Sequence, residues 1–387
     1  MAQGTILPAF QKLPEADTVW ENYNKPGGKF GLLDRSKEVP GIKGDFDAIP
    51  IIDIGGIFSD DLQVRKAVAV KLLDACTRIG FFYIKNHGVP QEMVDGVFDW
   101  AEKFFQMPLD DKMEFFVTNS HNLRGYTPPE SSGRLDKDGR GNRNEHWEWG
   151  HDSKLNDDPD EKYLCPHMNG ENRWPSKLPG FEEHLSTYYR TLRDLARKLT
   201  RNLALAVGLS EAFFDPLMTH PGCTAALVRY PPQPSHSFDY GIRPHTDVEF
   251  LTILSPGQVP ALQVLNKNGD WIEAPPYRGM FIVNVGDQLQ AYTNDILVST
   301  GHRVLNWSGV ERISVPFFFS MNFEAVVEPI PELVQRALKN GDPVSDHPST
   351  TAGEMYKSMK VIYHRHTNEV PKYKKWVKNN NVVEATA

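Results

Sequence analysis

The chain has 387 residues, of which 40% are hydrophobic, 11% aromatic and 24% charged. It is too apolar for a disordered chain, and long enough for one large catalytic domain or two average ones. With 42 Lys and Arg against 50 Asp and Glu, the net charge is −8, which argues against a nucleic-acid partner, since phosphate neutralisation needs clustered cations.

Residues 1–48 are rich in Gly, Pro and Lys and read as an irregular N-terminal arm. It opens without a basic segment and an apolar one behind it, so it does not read as a secretory leader. Three scattered cysteines, Cys76, Cys165 and Cys223, suit a reducing compartment better than a disulfide framework. No stretch approaches the ~20 apolar residues of a bilayer span. A cytoplasmic protein without membrane association is expected.

Ile49-Pro-Ile-Ile-Asp-Ile54 predicts a short buried strand, ended by Gly55-Gly56. The apolar spacing over 62–79 predicts an amphipathic helix, stopped by Gly80. Phe81-Phe-Tyr-Ile84 predicts a strand, Asn86–Pro90 a turn, and 91–106 a second helix ended by Pro108. His87 in that turn is read as structural. Residues 117–180, polar with interspersed Trp and Tyr, predict long surface loops that carry substrate contacts. A third helix is expected over 181–208. Beyond 222, short runs at 225–230, 249–254, 262–265, 280–285 and 313–320 predict strands of a sandwich or barrel, and 350–378 regains helical character. There is no fixed-period repeat, no low-complexity tract and no pattern that sets an oligomeric state. The expected class is α+β.

The chemistry concentrates in Pro244-His-Thr-Asp247. Residues i and i+2 of a strand share a face, so His245 and Asp247 would present an imidazole beside a carboxylate. Two His and one carboxylate with open positions is the facial arrangement of non-haem Fe(II). His302, 57 residues on, is the candidate distal ligand. Arg312 and Ser314 repeat the i, i+2 spacing, and a guanidinium beside a hydroxyl suits a carboxylate. Each has a plainer reading: a polar loop pair, a core histidine, half of a structural ion pair. His146-Trp-Glu148 is a second His-x-carboxylate, but lies in the polar region and reads as surface or substrate-lining.

The ordered set His245-x-Asp247, His302, Arg312-x-Ser314 resembles the Fe(II)- and 2-oxoglutarate-dependent dioxygenases, in the branch related to isopenicillin N synthase. Residues 48–330 carry the resemblance, with Ile49–Asp53, Ala75–Pro90, Phe104–Pro108, Gly125-Tyr126, Asn268–Trp271 and Asn284–Asp287 among the matching segments. It implies a double-stranded β-helix (jelly-roll) core with a helical N-terminal part and a C-terminal helix packed around it. The corresponding division is 1–48 (arm), 49–210 (N-terminal region), 222–330 (β-core) and 331–387 (C-terminal extension).

The resemblance assigns Fe(II) to His245, Asp247 and His302, and 2-oxoglutarate to Arg312, Ser314 and Tyr230, with O2 as the oxidant. It implies hydroxylation, desaturation or ring closure of a small organic molecule, with succinate and CO2 released, in secondary metabolism. Two family activities stay open: an oxidase that does not use 2-oxoglutarate, and an ethylene-forming one. Val228-Arg-Tyr-Pro231 departs from the Asn-Tyr-Tyr-Pro of many plant members and is closer to microbial ones. Val248 stands where the ethylene-forming enzyme has a Tyr. A metal-free binding protein of the same fold is the rival from another class. Arg229, Tyr126, Glu148, Val248, Phe317 and Phe319 are the candidate substrate contacts.

Overall fold

The computed structural model describes residues 46–133, 135, 139–150, 152, 170–234 and 239–378. Nearly all of the expected arm and the last residues of the C-terminal extension lie outside the described residues.

The N-terminal part runs β1 (Ile51–Asp53), α1 (Leu62–Arg78), β2 (Phe81–Lys85), α2 (Gln91–Phe105) and the short α3 (Leu109–Met113). The Asp61 side chain caps α1 by accepting from the Gln63 amide. Gly80 turns the chain from α1 into β2 at φ +74°, where a Cβ would meet the Val298 carbonyl oxygen at 2.1 Å. Next come β3 (Gly125–Thr127), β4 (Glu145–Gly150) and the long α4 (Phe181–Ala206).

The strand-rich half contributes β5 (Thr224–Tyr230), β6 (Ile242–His245), β7 (Leu251–Ser255), β8 (Leu262–Leu265), β9 (Trp271–Glu273), β10 (Phe281–Val285), β11 (His302–Val304) and β12 (Arg312–Phe319). A small ribbon pairs β13 (Val326–Val327) with β14 (Thr350–Thr351). Helices α5 (Asp287–Tyr292), α6 (Pro331–Asn340) and α7 (Ala352–His364) complete the order. The major sheet runs β1-β2-β10-β7-β12-β5-β4-β3, and the minor sheet β6-β11-β8-β9. This is the α+β, jelly-roll architecture, and strands from both halves of the chain share the major sheet.

Strand alternation divides the major sheet into two faces. On one face Leu227, Val315, Phe317, Phe319, Trp147 and Trp149 join α1, α2 and α4 in the large apolar core. Tyr189 of α4 meets Phe317 edge-to-face at 5.4 Å. The other face carries Tyr230, Val228, Arg312, Ser314, Thr252 and Asn284, in register across β5, β12, β7 and β10. That face closes over the candidate site.

The surface-loop reading of 117–180 is corrected at two places. Gly125–Thr127 and Glu145–Gly150 are buried strands of the major sheet. Glu-His-Trp-Glu-Trp looks like a loop by composition because the usual polarity is rearranged. Its indoles enter the apolar core, while His146 and Glu148 point to the interior face, which is polar.

Candidate metal centre and carboxylate anchor

His245 and His302 are direct partners across the antiparallel β6–β11 ladder. Their ring centroids lie 4.1 Å apart. Asp247 follows β6 by two residues and turns its Oδ1 to 3.6 Å from each Nε2. These three residues place one ligand atom each within 4.8 Å of one another.

Neighbouring groups fix which atoms face inward. His245 Nδ1 lies 2.8 Å from the Arg243 carbonyl oxygen, and His302 Nδ1 lies 3.2 Å from that of Thr300. Carbonyls only accept, so each Nδ1 carries the proton and each Nε2 keeps its lone pair. Asp247 Oδ2 accepts from Thr252 Oγ1 at 2.6 Å and Asn284 Nδ2 at 2.8 Å. Oδ1 remains for the imidazoles, at a distance beyond hydrogen-bonding range.

Burial, then the neighbouring His302, pushes His245 down to about 4. Burial works to raise Asp247, but His302, His245 and the two hydrogen bonds outweigh it and hold the carboxyl below its ordinary range. Two imidazoles beside an ionised carboxylate are the donor set of a divalent metal of Fe(II) type. The residues fit the group that the sequence implies.

The second expected feature lies on the same sheet face. Arg312 is 2% exposed and stands opposite Tyr230, with its Cζ 4.8 Å from that ring centroid. Its Nε donates to the Val259 carbonyl at 3.2 Å, and its Nη1 is buried with no hydrogen-bond partner among the described residues. Ser314, also buried, lies one pleat further along that face, paired with Val228. An interior guanidinium with an unused donor suits a carboxylate that the protein itself does not provide.

The substrate candidates divide between the two faces. Phe317 and Phe319 enter the helix-side core, so the expectation that they line the cavity is corrected. Phe318 is the partner of Thr252, and therefore shares the interior face. Tyr126 and Arg229 are also corrected. The Tyr126 hydroxyl and Lys112 Nζ both donate to Glu145 Oε2, and Arg229 joins Glu145 Oε1 to Glu311. Hydrogen bonding to Glu311 leads the causes that raise Arg229 above its ordinary range. This network ties β3, β4 and β5 together on the side away from the metal ligands. Val248 is half-buried and packs against the apolar core.

Glu148 does face the interior. Lys360 of α7 donates to both its carboxylate oxygens, and Tyr356 Oη donates to Oε1 at 3.1 Å. Sequence reading missed this wall, although Tyr356-x-x-x-Lys360-x-x-x-His364 repeats at helical spacing. All three are buried, and neither ring nitrogen of His364 has a partner among the described residues. His146 lies 6.2 Å from His364, ring to ring. Burial and the Lys360 charge push His146 down to about 3, and the same causes with His146 hold His364 well below its ordinary value. Glu249, also missed, is 3% exposed; burial and then Asp247 push it up to about 8.

Two family models match the chain. The N-terminal non-haem dioxygenase model, described from morphine synthesis, covers residues 49–177, and the 2OG-Fe(II) oxygenase superfamily model covers 221–321. A homoarginine-6-hydroxylase of Glycine max is 36% identical over 311 residues, 76% of this chain and 92% of that protein. A 2-oxoglutarate-Fe(II) type oxidoreductase of Metarhizium majus, ppzC, is 37% identical over 288 residues, 70% of this chain and 77% of that one. Among solved structures, a full-length Neurospora crassa protein in complex with α-ketoglutarate and 5-formyluracil shares the fold, with a TM-score of 0.67 at 24% identity, covering 81% of this chain and 95% of that one. A 2OG-Fe(II) oxygenase family protein of Caulobacter crescentus gives 0.68 at 26% identity, with 81% and 98% covered.

Proposed function

Because the chain belongs to the 2OG-Fe(II) oxygenase superfamily, we propose that His245, Asp247 and His302 hold its Fe(II), and that Arg312, with Ser314 and Tyr230, anchors 2-oxoglutarate. The protein is a 2-oxoglutarate-dependent dioxygenase that acts on a small organic molecule. When bound, the metal and keto acid supply the oxidising power, by reducing O2 while 2-oxoglutarate is split to succinate and CO2.

The chain's own residues do the positioning. Thr252 and Asn284 hold one oxygen of Asp247, so the other faces the imidazoles. Arg312 offers a charged N–H to the carboxylate remote from the metal, in a site too buried for water to compete. The Tyr230 ring lies 4.8 Å from the Cζ of that guanidinium and helps hold it in place. Hydroxylation, desaturation and ring closure all begin with removal of a substrate hydrogen, and orientation against the interior wall selects among them.

The observation that carries this reading is the convergence of His245 Nε2, His302 Nε2 and Asp247 Oδ1. The test is stoichiometric succinate formation from 2-oxoglutarate in the presence of a substrate, abolished by His245→Ala. Substrate oxidation without succinate would sink the keto-acid assignment and leave an iron oxidase. Tailoring of a secondary metabolite in the cytoplasm is the proposed setting. The N-terminal family model, described from morphine synthesis, and the free, buried cysteines Cys76 and Cys223 among the described residues support it.

A further inference from the structure

Arg303 follows a metal ligand and faces the other way. Successive residues of a strand alternate faces, so His302 of β11 turns toward Asp247 while Arg303 lies on the outer face of the minor sheet. It is 6% exposed there. Its Cζ lies 3.9 Å from the ring centroid of Trp271 on β9 and 5.9 Å from that of Tyr240, ahead of β6. Its Nε donates to Gln263 Oε1 on β8 at 2.8 Å. Trp271 and Gln263 are buried as well. No carboxylate pairs with this guanidinium among the described residues. A cation buried on such terms is a cost to the fold, and a well-packed apolar side chain would suit stability as well or better. What the guanidinium contributes is position.

β11 is only three residues long, and its ladder to β6 is irregular. His302 pairs with His245 and Val304 with Ile242, so β6 has one residue more than β11 over that stretch and Arg303 has no partner on it. Pro244, inside the stretch, has no N–H to give. On the other side the ladder is regular: His302, Arg303 and Val304 pair with Val264, Gln263 and Leu262. The interruption therefore falls between the two strands that carry the two imidazoles. The His302 ring has holds of its own, the Thr300 carbonyl and the Phe81 ring 5.2 Å away, but these do not set the distance between the strands. Arg303 spans the gap from behind, fastened to β8 and β9 and within cation–π range of Tyr240 on the chain that enters β6. We propose that Arg303 is a positioning residue for the metal, a clamp on the outer face that fixes the separation at which His245 and His302 meet one ion. The inference rests on the oxygenase reading, because that reading gives the two imidazoles an ion to share.

The test pairs an absorbance titration of the full chain with Co(II) and thermal unfolding of the metal-free protein. Arg303→Met fills the volume without the charge. It should weaken Co(II) at least about tenfold and alter the ligand-field bands of the bound ion, as loss of an outer support does. Its metal-free melting temperature should stay at or above that of the wild type. Arg303→Lys keeps a cation over Trp271 but loses the planar fork that also reaches Gln263, and should weaken Co(II) too. It is the second variant, should Arg303→Met fail to fold. A smaller loss, unaltered bands or a lower melting temperature in Arg303→Met, wild-type affinity in Arg303→Lys, or failure of both to fold would make Arg303 part of the scaffold and overturn the proposal. A wild-type chain that takes up neither one equivalent of Co(II) nor 2-oxoglutarate would instead bring down the oxygenase reading.

Discussion

The hydroxyl of Thr252 donates to Asp247 Oδ2 at 2.6 Å, which leaves the carboxylate a single oxygen to direct at His245 and His302. Asn284 reinforces the same oxygen from β10. Two strands of the major sheet thus set the aim of a carboxylate that follows a strand of the minor one.

Loss of either donor should loosen the metal without removing a ligand. Thr252→Val and Asn284→Leu are each expected to weaken divalent-metal affinity by about 10–100-fold. A Co(II) absorbance titration reads this directly. Wild-type affinity in both variants would mean that the Asp247 rotamer is held by other contacts.

Arg312 should show opposite signs in two experiments. With its Nη1 unpartnered in the interior, the guanidinium is a strain on the ligand-free fold. Arg312→Met should therefore raise the ligand-free melting temperature. It should also weaken 2-oxoglutarate at least about tenfold, since a charge-assisted pair is worth roughly 1.5–3 kcal/mol. The stabilisation by added 2-oxoglutarate seen in the wild type should shrink accordingly. A structural ion-pair role predicts the reverse, a lower melting temperature with affinity intact.

The Glu145 network should affect folding and leave keto-acid binding alone. Glu145→Gln strands Lys112, whose side chain is 7% exposed against 5% for Glu145. Breaking such a buried pair costs about 3–5 kcal/mol. Urea denaturation should show that loss, while the 2-oxoglutarate dissociation constant stays within about twofold. A large change in that constant would return Tyr126 and Arg229 to the pocket.

Mild acid should destabilise the fold through the interior histidines. His146 lies far below its unfolded value of 6.5, at about 3. Between those values the unfolded chain binds a proton that the native one refuses, so stability is full above 6.5 and falls as pH drops. From pH 7 to pH 5 this ring alone accounts for about 2 kcal/mol. His364, held down by burial and Lys360, adds in the same direction. Urea midpoints at the two pH values should differ less in His146→Gln than in the wild type.

His245, Asp247 and His302 were legible as a set from residue type and order, although Asp247 stands past the end of β6 and not on the strand as the i, i+2 spacing suggested; three helices were legible because their apolar faces meet a large core. The predicted helices over 62–79, 91–106 and 181–208 correspond to Leu62–Arg78, Gln91–Phe105 and Phe181–Ala206. β4 was missed for a physical reason. Alternation is normally read as apolar-in and polar-out, and here both faces are buried, one against helices and one against polar side chains of the interior. Phe317 and Phe318 show the same difficulty on a smaller scale: alternation separates their faces, but only the register with Thr252 says which face is which. His364 gave no local signal, because what marks it is a pair of ring nitrogens without a partner among the described residues, and that exists only once the chain is folded.

The two-sided burial of β4 leaves the strand no tolerant side. Trp147 and Trp149 fill the helix-side core, Glu145 pairs with Lys112, and Glu148 pairs with Lys360 of α7 on the opposite face. Neighbouring codons of one short segment are thereby bound by the same constraint, and a library randomised at 148 should return few folded proteins unless position 360 is varied with it.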